Sequence, residues 1–295
     1  MAPNATQRPA EAISWRVNNL QLSGLSWGCT GDKPLLALHG WLDNAASFAF
    51  LAPLLTGYHV VALDLTGHGQ SDWRSPDASY QIWDDLPEIL GVADALGWET
   101  FDLIGHSRGA IISTLLASAF PERVGRLVLL DAVVPAAVAE SEFPRQMRKA
   151  LQDKVLLQTR QNRVFPSIEE AVASREERGL PASAARALVE RNLSECSGGV
   201  TWTTDPRLRG ASAVKLSDAH LRAVLSALDM PTLLLLAQQS WTQSQEMAEY
   251  AGRHIPRLTV DTIEGGHHFH MEDSVMKVAQ RVQQFMTATE ECETA

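Results

Sequence analysis

The stretch FDLIGHSRGAIIS, residues 101–113, sets an apolar run, a serine flanked by glycines and a second apolar run side by side. An ordinary serine prefers a solvated turn or a helix cap. Ser107 instead lies between 101–106, which reads as a buried strand, and 108–120, which reads as a buried helix ended by Pro121. Gly105-His106-Ser107-Arg108-Gly109 is G-x-S-x-G at a strand-to-helix junction, where the two glycines permit a turn too tight for a Cβ. Such a turn lifts the serine hydroxyl onto the rim of a sheet. It also sets it at a helix N-terminus, whose dipole favours developing negative charge.

Working outward, short apolar runs alternate with longer amphipathic ones, the pattern of a mostly parallel, doubly wound α/β sheet with helices on both faces. Residues 13–27 read as an opening hairpin turned by Asn18 and Asn19. Strands are expected at 34–40, 59–65, 101–106, 123–132, 231–238 and 257–265, and helices at 44–55, 80–97, 108–120, 240–254 and 271–287. The strands are nearly all apolar, as burial on both faces requires. Between 134 and 219 no strand is expected and helical spacing dominates, so this segment reads as an inserted helical cap. The core is then 12–133 with 220–288, and the ends 1–11 and 289–295 are expected to be loose.

Forty-five per cent hydrophobic content over 295 residues can bury a large core. Acidic residues outnumber basic ones by 35 to 25, and a net charge of −10 argues against nucleic acid or a membrane surface as partner. Cys29, Cys196 and Cys292 are odd in number and far apart, which reads as reduced thiols in a cytoplasmic protein. Neither a secretory signal nor a membrane-spanning run is recognisable.

A serine hydroxyl is a weak nucleophile unless a base takes its proton. His267, directly after Gly265-Gly266 and between a late strand and the last helix, is the expected base; His268 and His270 read as packing or surface residues. No metal is expected, because the histidine cluster lacks cysteines or a partner cluster. A carboxylate must orient the imidazole. After the strand at 231–238 the expected acid is absent: Gln238, Gln239 and Ser240 stand there. Asp131, at the end of the preceding strand, returns to the same sheet edge as Ser107, and ligand sites of open α/β sheets lie at that edge.

The order Ser107, Asp131, His267, with LHGWLDNAASF at 38–48, LDLTGHGQSDW at 63–73 and GHSRG at 105–109, resembles an α/β-hydrolase with a helical cap. The likeness covers residues 12 to 288 and is strongest to the serine hydrolase-like branch. It implies an oxyanion hole made by the backbone N–H groups of Trp41 and Arg108, and no cofactor. His39, Asp64, Gly67, His68, Gly69 and Ser71 are then loop-shaping residues, and Asp43 or Asn44 caps the helix that follows. The Arg108 guanidinium either pairs with a carboxylate of the protein or reaches a polar part of the substrate.

The expected activity is hydrolysis of a small-molecule ester or thioester through an acyl-enzyme. Leu151, Val155, Leu156, Leu157, Val164 and Phe165 of the cap are the residues expected to receive an apolar acyl or aryl group. Carbon–carbon bond hydrolysis or cofactor-free haloperoxidase chemistry would reuse the same three residues. Epoxide or halide chemistry in this fold needs an aspartate where Ser107 stands. A binding protein that keeps the pocket without turnover is the alternative from another class, favoured by the missing acid at 238–240.

Overall fold

A computed structural model of the chain describes residues 9–240 and 244–288. Strands β1 (Glu11–Val17) and β2 (Leu20–Trp27) form the opening hairpin, with Asn18 and Asn19 left-handed at φ 50° and 65° in its turn. There follow β3 (Lys33–Leu38), β4 (Tyr58–Leu63), α1 (Leu86–Ala95), β5 (Phe101–His106), α2 (Arg108–Ala119) and β6 (Val124–Leu130). The inserted segment carries α3 (Phe143–Leu157), β7 (Val164–Phe165), α4 (Ile168–Glu176), α5 (Ala182–Glu190), β8 (Leu193–Cys196), β9 (Gly199–Trp202) and α6 (Asp218–Ser226). The chain returns to the sheet with β10 (Thr232–Ala237), α7 (Ser244–Gly252), β11 (Leu258–Ile263) and α8 (Val275–Thr287).

The main sheet has the order β1-β2-β4-β3-β5-β6-β10-β11 and is parallel from β4 to β11. Alternate residues of its strands fill two cores. Leu36, Leu38, Leu103, Leu129 and Leu234 pack under α1, α2 and α6, whereas Leu35, Ala37, Ile104, Val128 and Leu235 pack against α8 on the other face. Each buried Leu, Ile or Val of this kind contributes about 1.5–3 kcal/mol of transfer free energy, so strand register is strongly specified. Parallel strands bring all their carboxyl ends to one edge, and the loops leaving β3, β5, β6 and β11 meet there.

Several local expectations are corrected. The helix expected at 44–55 is two short 3-10 turns, Ala45–Phe48 and Ala52–Leu54. Pro53 can neither donate to an i−4 carbonyl nor follow a regular helix without clashing with one. The helix expected from 80 begins at Leu86, where Pro87 occupies the first turn. The cap is not purely helical: β7, β9 and β8 form a small antiparallel sheet. Its β8–β9 turn runs through Gly198 and Gly199 at φ 93° and 136°, and a Cβ on Gly199 would lie 2.0 Å from the Phe165 carbonyl oxygen.

A separate apolar cluster around Phe165, Val172, Leu188 and Met271 holds the cap, while Leu221 and Leu225 of α6 join the main core. Cys29 and Cys196 are free thiols. Residues 1–8 and 289–295, Cys292 and the 241–243 part of the expected helix at 240–254 lie outside the described residues. Among the described residues no helix is long and apolar enough to cross a membrane.

Candidate active site

Ser107 occupies a single residue between β5 and α2 with φ 52° and ψ −117°, a conformation that side chains rarely adopt. The flanking glycines make it possible. A Cβ on Gly105 would meet the Gly109 carbonyl oxygen at 2.5 Å, and one on Gly109 would meet the Leu38 carbonyl oxygen at 2.0 Å. The Ser107 N–H donates to the Leu130 carbonyl at 2.9 Å, which ties the turn to β6. Arg108 opens α2, where backbone N–H groups have no acceptor within the helix.

Asp131 follows β6, is itself left-handed at φ 58°, and has a fully buried carboxylate. Its Oδ2 accepts from Nδ1 of His267 at 2.6 Å and from the Ser240 hydroxyl; its Oδ1 accepts from the Ala237 N–H at 3.0 Å. A buried carboxylate without partners would be costly, and three donors remove that penalty. Ser240, which stands where an acid was expected, therefore holds the acid supplied by the neighbouring strand. His267 sits on the loop after β11, where Gly265 turns at φ 130°. Nδ1 of the ring is engaged with the carboxylate, which fixes the ring's orientation.

Ser107, Asp131 and His267 border one cavity of about 490 Å³, walled by Ile111, Val134, Leu221 and Met247. The cap residues expected to line it do not. Leu151, Val155, Leu156 and Val164 are exposed, and Leu157 and Phe165 are buried elsewhere. The reason is rotational: α3 buries Ala150 and Leu157, seven residues apart on one face, which leaves 151 and 155 turned outward.

His39, Asp64, Gly69 and Ser71 shape the neighbouring loops. His39 Nε2 accepts from the Leu65 N–H at 3.0 Å, which requires its proton on Nδ1, bonded to the Gly40 carbonyl at 2.7 Å. Asp64 accepts from the N–H groups of Ala45 and Gln70 at 2.7 and 2.9 Å and pairs with Arg191. Gly67 and Gly69 turn at φ 78° and 53°, Ser71 donates to the Asp64 carbonyl, and His68 is buried with Nδ1 3.2 Å from the Thr66 carbonyl. Of the two candidate caps, Asn44 serves, its Oδ1 accepting from Ala46 at 3.0 Å. Arg108 pairs with a protein carboxylate, Asp85, at 2.8 Å. Trp41 is half exposed, and its indole N–H donates to the Leu208 carbonyl of the cap at 3.1 Å.

A second layer went unread in the sequence. His106 is fully buried, and its Nε2 lies 2.8 Å from the His267 carbonyl oxygen. A carbonyl only accepts, so His106 carries its proton on Nε2. Burial, then the charges of His270, His268 and His267, holds the His106 ring well below the usual histidine range and therefore neutral. His268 Nε2 faces Asp43 at 3.1 Å, and Asp43 also pairs with Arg175. Burial alone would raise the Asp43 carboxyl, but His268 and Arg175 hold it well below the usual carboxylate range. His270 is buried beside Ser47 at 2.9 Å. Asp43, His106 and His268 bring one possible metal donor each within 4.8 Å. The carboxylate is already paired with Arg175 and bonded to His268, so the group reads as support for the loop that carries His267.

The sequence model of the alpha/beta hydrolase fold matches residues 33–274. A serine hydrolase-like protein of Danio rerio is 30% identical over 266 residues, covering 86% of this chain and 81% of that protein. Among solved structures, a hypothetical protein from Pseudomonas aeruginosa shares 37% identity, with TM-score 0.88 and coverage of 94% of this chain and 100% of that one. A thioesterase domain from the curacin biosynthetic pathway is 25% identical, with TM-score 0.82 and coverage of 93% and 99%.

Proposed function

From the chain's membership of the α/β-hydrolase fold family, in its serine hydrolase-like branch, we propose that it hydrolyses a small-molecule carboxylic ester or thioester through an acyl-enzyme. The observation that carries this reading is the 2.6 Å bond between Asp131 and His267 on the cavity that Ser107 also borders. Ser107 Oγ attacks the carbonyl carbon while His267 Nε2 takes its proton, and the tetrahedral oxyanion is held by the N–H groups of Arg108 and Trp41. Collapse expels the alcohol or thiol, which takes the proton back from His267. Water, deprotonated by the same imidazole, then releases the acid. Asp131 keeps the ring in the required tautomer and stabilises its cationic form.

The cavity walls are chiefly aliphatic, which suits an apolar acyl or aryl group. A binding protein without turnover was favoured by the absence of an acid at 238–240, and the Asp131 bond to His267 removes that motive. Reaction with a fluorophosphonate probe tests the assignment. Wild type is expected to be labelled at Ser107, with labelling lost in Ser107→Ala and strongly slowed in His267→Ala. A folded wild type that resists the probe and leaves p-nitrophenyl esters intact would overturn the reading.

A further inference from the structure

Away from Ser107, a cavity of about 240 Å³ between the cap and the loop after β3 is lined by Arg160, Arg163, Arg175, Arg178 and Arg209, and by no acidic residue. Five of the chain's 25 basic residues thus converge on one pocket of a protein whose net charge is −10. Only Arg175 is neutralised, by Asp43. Among the described residues, the other four have no carboxylate within ion-pair distance. The Arg163 guanidinium lies over the Phe165 ring, 4.6 Å from its centroid.

Arg209 is partly buried, and among the described residues its buried Nη1 has no hydrogen-bond partner. Burial, and then the charges of Arg160, Arg178 and Arg175, lowers its pKa. Arg160, Arg163 and Arg178 are exposed and screened by solvent, so the repulsion is felt most at the partly buried Arg209, and an anion relieves it.

We propose that this pocket binds a phosphate or diphosphate group of a small ligand. Guanidinium forks match phosphate oxygens bidentately, and four uncompensated cations call for a group with more than the single charge of a carboxylate. The volume lies below the roughly 300 Å³ at which pockets enclose a whole ligand, so it suits the anionic end of a molecule. The pocket shares no lining residue with the cavity at Ser107 but is connected to it through side chains. Leu42, next to Trp41, lines the pocket, and Arg175 is linked through Asp43 to His268, beside His267. If the hydrolase reading holds, the phosphate belongs to the tail of an ester or thioester whose acyl end lies at Ser107.

The test is calorimetric titration of the full chain with inorganic pyrophosphate at low salt. Wild type and Ser107→Ala are expected to bind one equivalent saturably, which separates this proposal from the hydrolytic one. Binding by Arg160→Gln/Arg209→Gln should weaken at least tenfold, while Arg145→Gln, on the exposed face of α3, leaves it unchanged. Arg160→Gln alone, at an exposed position, should weaken it in the same direction if the double variant does not fold. No saturable binding by wild type, unchanged binding in the pocket variants, or an equal loss in Arg145→Gln overturns the proposal. Displacement of pyrophosphate by butyryl-coenzyme A would assign the site to a thioester carrier, and its failure to compete would assign it to free inorganic phosphates.

Discussion

The Nε2–H of His106, one residue before Ser107, is held 2.8 Å from the main-chain carbonyl of His267. The strand that presents Ser107 therefore also fixes the loop that presents His267. Replacing His106 with Phe keeps a ring in the core but leaves the His267 carbonyl without its donor. The expected result is a folded protein destabilised by about 1–3 kcal/mol, with kcat for p-nitrophenyl esters down by up to about 10²-fold from misplacement of the imidazole. Steady-state kinetics beside a chemical-unfolding curve would check it, and unchanged kcat would show that the loop positions His267 unaided.

Asp131 and Ser240 should separate clearly. Asp131→Asn removes the charge and presents the wrong partner to Nδ1, a change that costs roughly 10⁴-fold in kcat in a related triad. Ser240→Ala removes one of three donors to that carboxylate and leaves the Ala237 N–H and His267 in place. A loss below about tenfold is expected, less than a hydrogen bond to a charged group usually contributes, because two donors remain on the carboxylate. A several-hundred-fold loss in Ser240→Ala would move the essential third member to Ser240.

These contrasts mark what the sequence disclosed. The elbow at Ser107 was legible because its glycines and its two apolar flanks are contiguous in the chain, and Asp131 was legible because strand ends share an edge. The support from His106, Asp43 and Arg175 was not, since Asp43 and His268 are separated by 225 positions and meet only in the folded protein. The cap hairpin at β8 and β9 was missed because four-residue strands with half-exposed faces carry almost no periodic signal. The apolar residues of α3 do not line the cavity at Ser107 for a different reason: apolar spacing along α3 shows that a face exists but not which way it turns.

Acid should destabilise the fold through its buried imidazoles. His39, His68, His106 and His270 are all held below the ordinary histidine value, in each case by burial first. An unfolded chain takes up protons at about 6.5 while the folded one does not. The stability these groups contribute is therefore complete above that pH and is lost as pH falls through it. Urea midpoints measured from pH 7.5 to pH 5.5 are expected to decline, and a midpoint that rises over this interval would contradict the neutral assignment.

Asp102 should act with the opposite sign. It lies early in β5 beside Gly125, and burial lifts its carboxyl from the ordinary 3.8 to about 6, despite Arg126 and Lys33 nearby. Below the unfolded value both states are protonated and the group is neutral to stability. As pH rises from about 4 to 6 the unfolded chain releases its proton first, so the folded state loses stability that it does not regain at higher pH. The full effect is on the order of 2–3 kcal/mol. Asp102→Asn keeps an oxygen to accept from the Arg126 N–H and removes the buried charge. It is expected to raise the melting temperature by several degrees at pH 7.5 and by much less at pH 4. Thermal melts of both proteins at the two pH values decide the matter, because a variant less stable than wild type at pH 7.5 would mean that Lys33 and Arg126 outweigh the cost of burial.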